Sequence, residues 1–194
     1  MGTRTSPIIL ATRNEHKIAE IKAMLGSIVV CRTLRDYLNI TVREAGRTLL
    51  ANSLAKAAFT YKATGQPSLA DDSGLFVDAL GGEPGVYSSR YGKNDTERIS
   101  KLLRSLETKQ NRAAAFRAVF VYYFAPQTYE VFRGQCNGTI ALEPRGTHGF
   151  GYDPIFIPRG YKKTFAELGP EVKNRISHRA KALQQFKEYL RHST

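Results

Sequence analysis

A chain of 194 residues, 42% of them apolar and 24% charged, has the makeup of one globular domain, or of two small lobes on a shared core, and not of a disordered, collagen-like or coiled-coil protein. Its longest apolar stretch, residues 118–125, is too short to span a bilayer, and Ile8, Ile9, Leu10 and Ala11 are too few for a secretory leader, so a cytosolic protein is expected. The net charge of +12 is the compositional outlier, and it predicts attraction to nucleic acid, an anionic membrane surface or small phosphorylated ligands without choosing among them.

Residues 7–11 read as a strand, followed by a helix over Glu15–Leu25 whose apolar residues Ile18, Ile21, Met24 and Leu25 share one face. Asn14 is placed to cap that helix and Gly26 to stop it. A short strand is expected near residues 28–31. Leu49, Ala51, Leu54, Ala55, Ala58 and Phe59 then support a second helix that ends before Gly65-Gln66-Pro67.

Ser68-Leu69-Ala70 is an extended run that delivers Asp71-Asp72-Ser73-Gly74, which places the two carboxylates at a strand end. A helix is expected over residues 96–106. The β-branched and aromatic segments 114–123 and 128–136 read as a hairpin about Ala125-Pro126-Gln127. A glycine-rich stretch over residues 146–154 precedes Ile155-Phe156-Ile157, and a last helix covers residues 177–190. No repeat or linker interrupts the chain, so residues 1–194 are expected to form a single domain. Cys31, Cys136 and the four histidines have no zinc-type spacing.

Four segments concentrate chemistry. In Thr12-Arg13-Asn14-Glu15-His16-Lys17 a lysine occupies the first turn of a helix, where the dipole opposes it unless an anion binds there; the plain alternative is a Lys17 turned out to solvent. Asp71 and Asp72 offer hard oxygen ligands suited to Mg²⁺ alongside phosphates, or else a solvated Asp-Ser-Gly turn. In Lys173-Asn174-Arg175-Ile176-Ser177-His178-Arg179, Ser177 caps a helix and His178 and Arg179 again place cations in its first turn; a basic solvated helix face is the rival reading. In the fourth segment Gly149 and Gly151 flank Phe150, with Tyr152 and Asp153 beyond, a loop in which an aromatic ring stacks on a nucleobase and a carboxylate accepts from a ring N–H, or in which the ring is simply core. A nucleotide with bound Mg²⁺ satisfies all four together.

The strings ATRNEHKIAEI, SLADDSGLFVDALGGEPGVYSSRYG, GTHGFGYDPIF, TFAEL and EVKNRISHRAKAL, spread from residue 10 to residue 183, resemble in order and spacing the inosine triphosphate pyrophosphatase family, the Ham1-like noncanonical purine nucleoside triphosphate pyrophosphatases. The resemblance implies an α/β fold, a long mixed sheet flanked by helices in two lobes with the nucleotide in the cleft between them. It also implies a homodimeric, Mg²⁺-dependent enzyme that cleaves ITP, dITP and XTP between the α and β phosphates and releases the monophosphate and pyrophosphate. By the same resemblance Asp72 is the catalytic and metal-binding carboxylate with Asp71 beside it, and Thr12, Asn14 and Lys17 hold the triphosphate. Ser73, Phe150, Gly151, Tyr152, Asp153, Lys173, His178 and Arg179 line the substrate pocket, Phe150 as the stacking ring.

The pattern departs in one region. A metal-associated glutamate usual three residues before the glycine that opens the second helix is Arg43 here, ahead of Gly46; either Glu44 takes over that role on a shifted loop or the contact is missing. The phenylalanine and glutamate usual at that helix start are replaced by Leu49 and Ala51, beside Asn52. Related chemistry on other modified or ordinary nucleotides remains an alternative by resemblance, and the charge alone also allows a basic nucleic-acid-binding protein, though no recognised binding motif supports one.

Overall fold

The computed structural model describes residues 7–34, 37 and 46–192. Strands β1 (Ile8–Leu10), β2 (Cys31–Thr33), β3 (Ser68–Val77), β4 (Ala113–Ala125), β5 (Thr128–Ile140) and β6 (Phe156–Pro158) form one sheet in the order β2-β1-β3-β4-β5-β6. β1 runs parallel to both β2 and β3, while β6 lies antiparallel to β5. Helices α1 (Glu15–Leu25), α2 (Leu49–Thr64), α3 (Asp95–Ser105), α4 (Phe165–Ile176) and α5 (His178–His192) complete a mixed α/β architecture. No helix among the described residues is long and apolar enough to cross a membrane.

The chain divides into two compact units. One comprises Met1–Asp72, Val119–Arg133 and Ala182–Thr194, the other Ser73–Ala118 and Gly134–Lys181. Within the first, β1 is wholly buried, and α1 buries the expected face of Ile18, Ile21, Met24 and Leu25. Asn14 caps α1 by accepting from the Lys17 N–H, and the Gly26 N–H closes its end on the Lys22 carbonyl. The later part of α5 seats Phe186 against Tyr122 and Phe132, with ring centroids 5.2 and 5.3 Å apart.

α2 has the expected extent, but it buries a different face. The residues it turns inward are Leu49, Asn52, Ser53, Lys56, Ala57 and Thr60, whereas Ala55 and Phe59 are exposed, Phe59 by 44%. A search for an apolar stripe misreads this helix because its inward stripe is largely polar, and such a stripe costs least where its polar groups find partners. Ser53 Oγ donates to the Val119 carbonyl at 2.7 Å, and Ser68 Oγ to the Ala57 carbonyl at 2.8 Å.

The second unit packs Leu75, Val77, Leu102, Phe116, Ile155, Phe156 and Phe165 into one apolar cluster. α3 starts at an Asn94 cap, which accepts from the Glu97 N–H at 2.9 Å. α4 is not expected from the sequence, because Gly169 and Pro170 punctuate it: Gly169 takes φ 78° and breaks the helix. A capping box at Thr164 and Glu167 nevertheless starts it firmly.

The carboxylate pair does not lie at a strand end. Asp71 and Asp72 are the fourth and fifth residues of the ten-residue β3, and Ser73-Gly74, which has turn chemistry in isolation, continues the strand. The close approach of another backbone explains it, since a Cβ on Gly74 would stand 2.1 Å from the Gly85 carbonyl oxygen.

Candidate active site

Consecutive residues of a strand point to opposite faces, so the adjacent carboxylates have different neighbours. Lys17, in the first turn of α1, brings its Nζ within 2.8 Å of Asp71 Oδ1. It is therefore turned inward, not out to solvent, and the helix-dipole penalty at its position is offset by a buried carboxylate. Thr12 and Asn14 precede it in a small hydrogen-bonded loop, Thr12 Oγ1 accepting from the Asn14 N–H at 3.2 Å.

Asp72 faces α2. Its Oδ2 accepts from the Asn52 amide at 2.8 Å, and its Oδ1 stands 3.8 Å from Lys56 Nζ, beyond hydrogen-bond reach. Lys56 donates instead to the Asp71 backbone carbonyl at 2.6 Å. Lys56 and Asn52, 7% and 1% exposed, thus hold the strand at the point where both carboxylates leave it. Neither stands out as a site residue in the sequence. The readable signal is their spacing, four residues apart on a helix whose buried face is polar.

The next residue of β3 opens the second unit. Ser73 Oγ accepts from Arg179 Nη2 at 2.7 Å. Ser177 starts α5, its Oγ accepting from the Ala180 N–H at 3.2 Å, and this brings His178 and Arg179 into the first turn, 1% and 4% exposed. They are not a solvated basic face. The His178 ring stacks on Phe116 with centroids 4.8 Å apart and planes at 11°.

The glycine loop joins this group. Asp153, 1% exposed, accepts through Oδ2 both from the Phe150 N–H at 2.9 Å and from the Lys173 ammonium. Gly149 has φ +81°, and a Cβ there would lie 2.1 Å from that same Oδ2, so the tight approach needs glycine. Lys173 Nζ and Arg179 Cζ lie 4.4 and 5.3 Å from the Phe150 ring centroid, a cation–π pair that fixes the ring. Tyr152 is buried and donates its hydroxyl to the Ser88 carbonyl at 2.9 Å; burial drives its phenol well above the ordinary range, with Arg98 opposing and Tyr91 and Asp95 adding to the shift. The Gly151 N–H donates to Asp95 Oδ2 at 2.6 Å.

A model of the Ham1 family matches residues 8–189, a span that contains every side chain of both groups. The chain belongs to this family. Among Ham1-related proteins, the dITP/XTP pyrophosphatase of Flavobacterium johnsoniae is 43% identical over 187 residues, which is 94% of this chain and 97% of the relative. That of Thermus thermophilus is 46% identical over 193 residues, 95% of this chain and 92% of the relative. The structure of a Coxiella burnetii HAM1 protein superposes with a TM-score of 0.90 at 40% identity, covering 97% of this chain and all (100%) of the other. The Staphylococcus aureus Ham1 protein superposes at 0.89 with 36% identity and the same coverage. The sheet and helices described above are thus the Ham1 fold.

As to a metal centre, the first unit brings Asp71 and Asp72 together with two lysines. Among the described residues no group of three His, Cys, Asp or Glu side chains assembles. Glu44, the third carboxylate expected there, lies outside the described residues.

Proposed function

We propose that this Ham1-family chain hydrolyses noncanonical purine nucleoside triphosphates, dITP, XTP and ITP, to the monophosphate and pyrophosphate, and so cleanses the nucleotide pool of the cytoplasm. The observation that carries the reading is the run Asp71-Asp72-Ser73, three consecutive β3 residues whose side chains engage Lys17, then Asn52 with Lys56 nearby, then Arg179. Phosphate-handling groups and base-handling groups are thereby joined by a single peptide bond. The names of the Flavobacterium johnsoniae and Thermus thermophilus relatives, both dITP/XTP pyrophosphatases, point the same way.

The residues present suit Mg²⁺. Asp71 and Asp72 place two carboxylates on consecutive residues of β3, and hard oxygens of this kind, one or two together with substrate phosphates, are what Mg²⁺ takes. Asp72 would hold it, with Asp71 beside it and Glu44 as a third donor; when bound, the ion neutralises phosphate charge and polarises the bond to be broken.

The chain's own groups then divide the work. Asp72 orients a water for in-line attack on the α-phosphorus. Lys17 and the N-terminal N–H groups of α1, with Thr12 and Asn14, receive the triphosphate, where positive charge offsets what accumulates on its oxygens. In the second unit Phe150 stacks on the base. Arg179 and His178 present donors to a 6-oxo group, so that adenine, which offers an amino donor there, leaves them unpaired and is rejected. Lys173, Ser73, Gly151, Tyr152 and Asp153 shape that pocket, and two copies of the chain assemble as a homodimer.

Product analysis tests the reading. Incubation of dITP, ITP, XTP and ATP separately with the protein and Mg²⁺ is expected to give monophosphate and pyrophosphate from the first three, with ATP spared. Orthophosphate as the product, or equal turnover of ATP, would overturn it. Light scattering is expected to give twice the chain mass.

A further inference from the structure

Asp95 is the first residue of α3, where any carboxylate is favoured by the helix dipole. That does not explain where its side chain goes. The cap of α3 is supplied by Asn94, and the Asp95 carboxylate makes other bonds. Its Oδ2 accepts from the Gly151 N–H at 2.6 Å, across 56 positions of sequence. Its Oδ1 accepts from Arg98 Nη1 at 2.5 Å, and Arg98 is itself anchored through Nε on the Gly92 carbonyl at 3.2 Å. The carboxylate is clamped from one side and clamps the glycine loop with the other.

Two consecutive N–H groups of that loop are held by carboxylates from different sources. Phe150 N–H is taken by Asp153, three residues on in the same loop, and Gly151 N–H by Asp95. Gly151 has φ +63°, a conformation glycine adopts freely, and a Cβ there would meet nothing within 4 Å beyond its chain neighbours. The Phe150 carbonyl accepts from the Asp153 N–H at a long 3.3 Å, so loss of the acceptor for the Gly151 N–H removes the shorter of two holds on this peptide and gives it freedom that a glycine readily uses. The Phe150 ring would then lose its orientation over Lys173 and Arg179.

We infer that Asp95, held by Arg98, is a positioning residue for the nucleobase: it sets the glycine loop so that Phe150 presents its ring to the ligand. This rests on the functional reading above, in which Phe150 meets the base. It predicts a defect in binding the base and not in the phosphate chemistry.

The test compares wild type, Asp95→Ala and Asp95→Asn, each first shown to be folded by its thermal midpoint. With XTP, Asp95→Ala is expected to raise KM about five- to tenfold, the worth of one hydrogen bond to a carboxylate that is 44% exposed and so partly screened by water, with kcat changed less than about twofold. Asp95→Asn, whose amide oxygen still accepts from Gly151, is expected to recover most of the loss. Inhibition by inorganic tripolyphosphate, which has no base, is expected to be equal in all three. An unchanged KM, a parallel loss of tripolyphosphate affinity, a fall in kcat alone, or no rescue by Asn would each overturn the assignment. Hydrogen exchange at the Gly151 amide decides the point independently of turnover: faster exchange in Asp95→Ala supports the clamp, and unchanged exchange sinks it. If the wild type released no pyrophosphate, the functional reading would fail while this exchange result still judged the clamp.

Discussion

Lys17 Nζ lies 2.8 Å from Asp71 Oδ1, with the carboxylate side chain completely buried and the lysine side chain 15% exposed. The pair joins the first turn of α1 to the middle of β3. A buried charge that loses its partner is far more costly than a pair that is removed whole. Lys17→Ala is therefore expected to destabilise the protein by roughly 3 kcal/mol, and Lys17→Met combined with Asp71→Leu to recover most of that loss. Both variants are expected to be inactive. Urea denaturation with a turnover assay checks this; a double variant no more stable than the single one would show that the pair is not the source of the cost.

Asp72→Asn keeps an oxygen that can accept from Asn52 and leaves the Lys56 bond to the Asp71 carbonyl untouched. The thermal midpoint is expected to stay within a few degrees of wild type. Turnover is expected to fall by about a thousandfold or more, as for loss of a group acting directly on the transition state. Near-normal pyrophosphate release would remove Asp72 from the mechanism.

Lys56 is a buried ammonium between the Asp71 carbonyl and the Asp72 carboxylate. Lys56→Met preserves the apolar stem and deletes the charge. Here kcat is expected to drop roughly a hundredfold with a smaller change in KM. A change confined to KM would make Lys56 a ground-state binding group only.

Phe150→Ala removes the ring held by Lys173 and Arg179. Base stacking on an aromatic side chain is worth about 1–3 kcal/mol, so KM for XTP is expected to rise between about fivefold and a hundredfold. Phe150→Trp is expected to bind close to normally. Equal affinity of the Ala variant and wild type would mean that the ring belongs to the core and not to the ligand.

The Tyr152 phenol is raised chiefly by burial, so the folded state retains its proton to higher pH than the unfolded chain. Its contribution to stability is fully present below the unfolded value of about 10 and is lost as pH rises beyond it. Tyr152→Phe, which forfeits the bond to the Ser88 carbonyl, is expected to be about 1 kcal/mol less stable at pH 8. The gap is expected to close above about pH 10. Thermal midpoints of both proteins across that range measure it, and a gap independent of pH would contradict the shift.

Much of this was legible locally. The α1 span and both its ends follow from Asn14, Gly26 and a stripe of four apolar residues, and the β4–β5 hairpin from its β-branched and aromatic runs about residues 125–127. Lysine in a first helical turn pointed to Lys17, and the pair His178-Arg179 to a second cation group. Reading failed where a partner outside the local segment changed what a residue does. Asp71-Asp72-Ser73-Gly74 looks like a turn until another backbone meets Gly74, and α2 looks apolar on the wrong side because its buried face answers to Asp72 and the Val119 carbonyl.

Sequence by itself determined which chemical groups this protein possesses, where α1, α2, α3 and α5 begin, and, through motifs strung along nearly the whole chain, its family. Those properties rest on hydrogen bonds and periodicities spanning a few residues. Which groups meet was decided only by the tertiary structure. Asn52 reaches Asp72 over 20 positions, Gly151 reaches Asp95 over 56 and Arg179 reaches Ser73 over 106. A contact at such separation depends on the topology that brings two distant segments together, and no local propensity encodes it.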